Sequence, residues 1–326
     1  MGVVMDKYRI GSFNLYKYST NTAKVHKTIA RIIDENRVDI LGVQEIFSKE
    51  ALDKIVRALN NTGQSHWDGR WMSPDSRSVS AAEGYAFIWN MDRIELSRNR
   101  SGKVFEPVIH NQYPHKDAGN LIRNPFYGRF VIRVDRMFEF RVINTHIMFS
   151  QNRSINEEDD HDSSEIHLSD VALRKREFDI LASKILPKLD DKAYDYQWNE
   201  VDGICRKPYT ILLGDYNLNL KESGARDTFL DENQQLIILQ DAYSEKRIVT
   251  VQKDLSTLKA KTKNNPNIDG YRNNFDHFTF DENRPMQVDA WAVDIPNNPE
   301  FYSGDYDKYK ADVSDHLMVV MEIQFI

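Results

Sequence analysis

Two facing β-sheets with helices on their outer sides, an α+β architecture, are what this sequence predicts. Apolar runs with strand spacing alternate with segments whose apolar residues recur at helical spacing. The pattern of strands, helix and acidic strand end occurs in both halves of the chain. At 326 residues, 40% hydrophobic and without a linker-like break, the chain is expected to form one domain over 1–326.

The elements follow in order. Residues 8–14, YRIGSFN, alternate as a strand and end at Asn14. Over 21–36, Val25, Ile29, Ile32 and Ile33 form a helical stripe. VDILGVQE reads as a buried strand ending at Glu45, and Leu52, Ile55, Val56 and Leu59 mark a second helix. GYAFIWN (84–90) is a strand, with RIELS (93–97) as its expected partner. GRFVIRV and FEFRVINTHIMF are strands divided by a turn near Asp135, the second carrying His146. A helix is expected from about 170 to 187, with Val171, Leu173, Phe178, Leu181 and Ile185 inward and Pro187 at its end. YTILLGDYN, FDHFTF, MQVDAWAVD and SDHLMVVMEIQF complete the strands. The polar stretch 150–169, with His161 and His167 among carboxylates, reads as a surface loop.

Composition narrows the function classes. A single cysteine, Cys205, permits no internal disulfide and no CxxC metal site, so a reducing, cytoplasmic setting is expected. The first residues contain no long apolar run, so neither a signal peptide nor a membrane partner is expected. A net charge of −7 provides no global field for non-specific nucleic-acid binding. It leaves room for an enzyme that holds its substrate through a local patch and a metal. No obligate protein partner is evident in the sequence.

The strand ends carry the chemistry. Asn14, Glu45, His146, Asp215 with Asn217, Asp276, and Asp315 with His316 each close or open an apolar run. Any one of them has an ordinary explanation as a cap, a surface acid or a core histidine. Repeated at so many strand ends, they suit hydrolysis of a phosphate ester. That reaction needs a hard cation, donors for the growing negative charge and a base near neutral pKa. Counted from Asp215, an EF-hand would need Gly and Glu where Leu220 and Arg226 stand, so a calcium loop is excluded.

The ordered set SFN (12–14), VQE (43–45), NTH (144–146), GDYN (214–217) and SDH (314–316) resembles the endonuclease/exonuclease/phosphatase superfamily, and more closely its pancreatic deoxyribonuclease-like branch. The resemblance implies a four-layer α/β/β/α sandwich of two mostly antiparallel sheets flanked by helices. It implies that Glu45, with Asn14, Asp215 and Asp315, holds Mg2+, for which Mn2+ would substitute. It further implies His316 as general base oriented by Asp276, His146 as a second acid–base group supported by Glu83, Asn14 and Arg129 at the substrate phosphate, and Asn217 holding a phosphate oxygen or the attacking water. The implied activity is magnesium-dependent DNA endonuclease, leaving 5′-phosphate and 3′-hydroxyl ends. The alternatives are a phosphodiesterase or phosphatase acting on RNA, a sphingolipid-like diester or an inositol phosphate, and an inactive binding module on the same scaffold. Phe47 stands where the deoxyribonuclease branch has a groove-entering arginine, which separates this chain from pancreatic-type minor-groove binding.

Overall fold

The computed structural model describes residues 6–73, 83–99, 101–110, 123–135, 137–147, 174–195, 207–220, 228–230, 236–238, 248–262 and 266–326. The expected loop at 150–169, Cys205, Val171 and Leu173 lie outside the described residues.

Strands are β1 (Lys7–Tyr18), β2 (Ile40–Ile46), β3 (Trp67–Met72), β4 (Gly84–Asn90), β5 (Ile94–Leu96), β6 (Val108–Ile109), β7 (Phe126–Ile132), β8 (Phe138–His146) and β9 (Lys207–Asp215). There follow β10 (Asn219–Leu220), β11 (Thr228–Leu230), β12 (Leu236–Ile238), β13 (Ile248–Val251), β14 (Asp276–Asp281), β15 (Met286–Ala292) and β16 (Val319–Phe325). One sheet runs β15-β16-β1-β2-β4-β3; the second runs β13-β14-β9-β8-β7-β5, with β6 also on β7. Strands β10, β11 and β12 form a small third sheet. Among the described residues of the two large sheets, β1–β2 and β8–β9 pair in parallel and the other pairings are antiparallel.

Three apolar clusters separate four layers. Helices α1 (His26–Glu35) and α2 (Lys49–Asn60) cover the first sheet, burying Ile29, Ile32 and Ile33 from one and Leu52, Ile55 and Leu59 from the other. Between the sheets, Phe87 and Trp89 of β4 meet Phe130 of β7, Phe140 of β8 and Ile211 of β9. Outside the second sheet, Ile143 and Leu212 pack with Phe178, Leu181 and Ile185. Alternate residues of one strand therefore serve different layers, as the period-2 pleat requires: Phe140 and Val142 point inward and Ile143 outward.

Several expectations are corrected. Strand β5 pairs with β7 (Ile94↔Ile132), not with β4. The turn closed by Arg93 N–H on the Asn90 carbonyl carries the chain from one sheet to the other. The first helix begins at His26, with Val25 as its N-cap rather than part of its core face. The third helical segment, α3 over 174–195, does not stop at Pro187. Its stretch Ile180–Ile185 is π-helical, and Leu186 N–H reaches the Leu181 carbonyl before the α-helical end Leu186–Asp195. A wider turn is how a helix absorbs a proline, which lacks the N–H and crowds the preceding turn. A short helix α4 (Tyr306–Asp312), capped by Asp305 on Lys308 N–H at 2.9 Å, was not expected. Among the described residues no helix is long and apolar enough to cross a membrane.

Candidate active site

The pairing pattern decides where the polar strand ends go. The parallel pairs place the C-terminal ends of β1 and β2, and of β8 and β9, together. Strands β4, β7, β14 and β16 are antiparallel to members of those pairs, so their N-terminal ends arrive at the same edge. That edge collects Asn14, Glu45, Glu83, His146, Asp215, Asp276, Asp315 and His316. In register, Asp215 lies opposite His146 on one side and Asp276 on the other.

Asp215 is the hub, and only 2% of it is exposed. Its Oδ2 accepts from Asn14 Nδ2 at 3.0 Å and lies 3.5 Å from His146 Nε2 and 3.7 Å from His316 Nε2. Its Oδ1 accepts from Asn217 N–H at 2.9 Å. Burial pushes its carboxyl upward from the ordinary value, against the pull of the two imidazoles. The turn that follows is built for this. Gly214 has φ +144, and a Cβ there would sit 1.9 Å from the Thr145 carbonyl oxygen. Asn217 is left-handed at φ 50, and its Nδ2 donates to the Ile147 carbonyl at 2.8 Å.

Each histidine has its own carboxylate. His316 Nδ1 lies 2.9 Å from Asp276 Oδ2, which also accepts from Ser256 Oγ at 2.6 Å. Burial alone would lower the His316 pKa, but Asp276 and Asp215 outweigh it and raise it to about 10. His146 Nδ1 lies 2.5 Å from Glu83 Oε1, and Glu83 Oε2 pairs with Arg123 Nη2 at 2.6 Å. Burial opposes the charge on both partners; each nevertheless favours its ionised form, His146 raised and Glu83 lowered, through their mutual attraction. Arg123 Nη1 also approaches His146 Nδ1, at 2.7 Å. Nδ1 cannot both accept from Arg123 and donate to Glu83; the ionised pair puts a proton on Nδ1, which donates to Glu83, and Arg123 is satisfied by Glu83 Oε2.

Glu45 occupies the other side. Its backbone is left-handed, φ 54, unusual outside glycine. Its Oε1 accepts from Asn14 Nδ2 at 3.2 Å and its Oε2 from Lys17 N–H at 3.0 Å. Asp315 Oδ2 takes Lys310 Nζ at 3.1 Å, while its buried Oδ1 has no hydrogen-bond partner among the described residues. No three His, Cys, Asp or Glu side chains among the described residues close round one point as a metal cage. The donors that face the edge are carboxylate and amide oxygens, the ligand chemistry of a hard divalent cation. Asn14 Nδ2 supplies the positive end between Glu45 and Asp215.

Arg129 takes a different place from the one expected. It sits within β7, buried, with Glu139 of β8 as ion-pair partner and the Phe105 ring 4.0 Å from its guanidinium carbon. The arginine at the cluster is Arg123. It lies three residues before β7, with Nη1 2.7 Å from His146 Nδ1 and Nη2 2.6 Å from Glu83 Oε2. The short interval before NPFYGRF was the available signal, but it needed the pairing to be read. A buried amide network also went unread in the sequence. Gln44 Nε2 donates to Asn144 Oδ1 at 2.6 Å, and Asn144 Nδ2 to the carbonyls of Val43 and Ala86 at 3.0 and 3.1 Å. It ties the two sheets together directly beneath the site.

No protein-family model and no curated protein matches the sequence. Solved structures do. A mannosyl-6-phosphatase from Bacteroides thetaiotaomicron aligns over 98% of this chain and 100% of its own, with TM-score 0.56 and 15% identity. An endonuclease/exonuclease/phosphatase family protein from the same organism aligns over 99% of both chains, with TM-score 0.56 and 14% identity. ANGEL2, a 2′,3′-cyclic phosphatase, covers 98% of this chain and 96% of its own, with TM-score 0.52 and 12% identity.

Proposed function

The chain has the endonuclease/exonuclease/phosphatase fold, and we propose from its site that it is a divalent-cation-dependent phosphoesterase that hydrolyses phosphodiesters, with DNA as substrate. The observation that carries this is the pair of carboxylate-backed imidazoles whose Nε2 atoms converge on Asp215 at 3.5 and 3.7 Å. Hydrolysis of a diester needs one group to take a proton from water and another to give one to the leaving oxygen. His316 is the base: Nδ1–H donates to Asp276, leaving Nε2 to accept. His146, held toward the imidazolium by Glu83, is the acid. Asn217, whose Nδ2 gives one hydrogen to the Ile147 carbonyl, provides its second to a phosphate oxygen; Asn14 positions Glu45 and Asp215, and Arg123 anchors Glu83 at the rim. Glu45, with Asn14, Asp215 and Asp315, would hold Mg2+ or Mn2+. When bound, the cation supplies charge that offsets the growing negative charge on phosphorus and opposes the protonation of His316.

A second reading, a phosphomonoesterase acting on a small ester, is supported by the name of one structural neighbour, a mannosyl-6-phosphatase. One panel separates them: supercoiled plasmid, single-stranded DNA, RNA, a hexose 6-phosphate and bis-p-nitrophenyl phosphate, each with Mg2+ and with chelator. The expected result is Mg2+-dependent nicking of plasmid, abolished by chelation and by Glu45→Gln. Turnover of the hexose phosphate well above that of DNA would replace the diester substrate, and full activity in chelator would remove the cation from the mechanism.

A further inference from the structure

Beyond Asn14 the first strand leaves its register with β2, which resumes at Tyr18. The two residues on either side of the peptide between, Tyr16 and Lys17, are both left-handed, at φ 43 and 57. This bulge points Lys17 N–H at Glu45 and turns the Tyr16 ring to the rim beside it. Three ammonium groups, one of them from the far end of the chain, surround that ring: Lys310 Nζ at 4.9 Å from its centroid, Lys24 Nζ at 5.3 Å and Lys17 Nζ at 5.4 Å. Lys24 donates to the Val313 carbonyl at 2.7 Å and Lys310 to Asp315 at 3.1 Å. Each therefore uses one of its three N–H donors in a bond to the protein.

Gathering three like charges around one ring is unfavourable by itself. Nearby, Glu45 and Asp315 contribute two negative charges against those three, in a chain whose net charge is −7. A divalent cation on the carboxylates would leave the rim strongly positive. The ring is crowded by ammonium groups, which makes it a support for cations and a poor platform for stacking a base.

Resting on the phosphoesterase reading above, we propose that Lys17, Lys24 and Lys310, braced by Tyr16, form a second phosphate subsite beside the cation carboxylates. The preferred substrate then carries a phosphate adjacent to the one being hydrolysed. Either the neighbouring phosphate of a nucleic-acid strand or the second phosphate of a sugar bisphosphate has this chemistry.

The test is calorimetric binding with Mg2+ in the His316→Ala protein, in which turnover is slowed about 10²–10⁴-fold. Thymidine 3′,5′-bisphosphate is compared with thymidine 5′-monophosphate, and a hexose 1,6-bisphosphate with the hexose 6-phosphate. The bisphosphate of one pair is expected to bind at least roughly tenfold tighter than its monophosphate, and the pair that shows this identifies the source. Lys17→Met and Lys24→Met should each remove about tenfold of that preference, the scale of one charge-assisted hydrogen bond. Lys17→Arg should retain it. Lys17 is exposed, so its replacement does not threaten folding. Equal binding of mono- and bisphosphates in both pairs, or a preference untouched by both methionine variants, overturns the subsite. A lysine-dependent preference in a chain whose native form hydrolyses no phosphate ester leaves the subsite standing and removes the phosphoesterase function instead.

Discussion

Replacing Asp276 by Asn tests the catalytic assignment most sharply, because it changes charge and tautomer while leaving shape almost intact. Asp276 Oδ2 sits between His316 Nδ1 at 2.9 Å and Ser256 Oγ at 2.6 Å, and the residue is fully buried. An amide there cannot offset an imidazolium charge, and its NH2 group can turn toward Nδ1 and select the tautomer whose Nε2 carries the proton. General base catalysis is worth about 10²–10⁴-fold, or about 2.7–5.4 kcal/mol of barrier. His316→Ala should remove that amount of kcat, and Asp276→Asn should cost about 10³-fold. If the two act as one unit, the double variant falls only to about the level of His316→Ala. If they act independently, the losses multiply to about 10⁶-fold, a difference of some three powers of ten. The assay is kcat on bis-p-nitrophenyl phosphate at saturating Mg2+ for the four proteins, with thermal melts as control. Small losses that multiply and track the melting temperature would refute the unit and send the proton elsewhere.

The remaining predictions use other parts of the site. The pKa of His316, raised to about 10 from an ordinary 6.5, makes protonation stabilising below pH 6.5, a contribution lost as pH rises through 10. Urea stability of the cation-free protein should therefore fall between pH 7 and 10, and His316→Gln should flatten that slope; an unchanged slope would contradict the burial beside Asp276. Gly214→Ala should cost about 3 kcal/mol or more in urea unfolding, since its Cβ would meet the Thr145 backbone at 1.9 Å. A midpoint equal to that of the native chain would contradict that contact. Glu83→Gln weakens the imidazolium of His146, so kcat should drop far more for an alkyl ester, whose leaving oxygen needs a proton, than for a p-nitrophenyl ester. Equal losses on both esters would remove His146 as the acid.

Much of the site was legible because each chemical group closes an apolar run. A buried strand that ends in Glu45, Asp215 or His146 announces a polar edge, and several such ends within one core must share a small number of edges. The carboxylate partners Glu83 and Asp276 came with the family resemblance, their positions being just before one strand and at the start of another. The sequence by itself thus determined the long core strands and their polar ends, while the short strands β6 and β10–β13, and the edge strand β3, were not visible in it. Everything that depends on pairing between distant segments required the fold. The contacts that Glu83, His146 and Glu139 make chose Arg123 over Arg129. The transfer of β5 to the second sheet, and the Gln44–Asn144 link between sheets, are side-chain and strand contacts across 38 and 100 residues. The same is true of the three lysines, which lie at 17, 24 and 310 and meet only because Tyr16 and α4 arrive at one rim. Side-chain type and periodicity are local properties of a chain. Which charges become neighbours is set by strand register, where a shift of one residue would send every side chain to the opposite face.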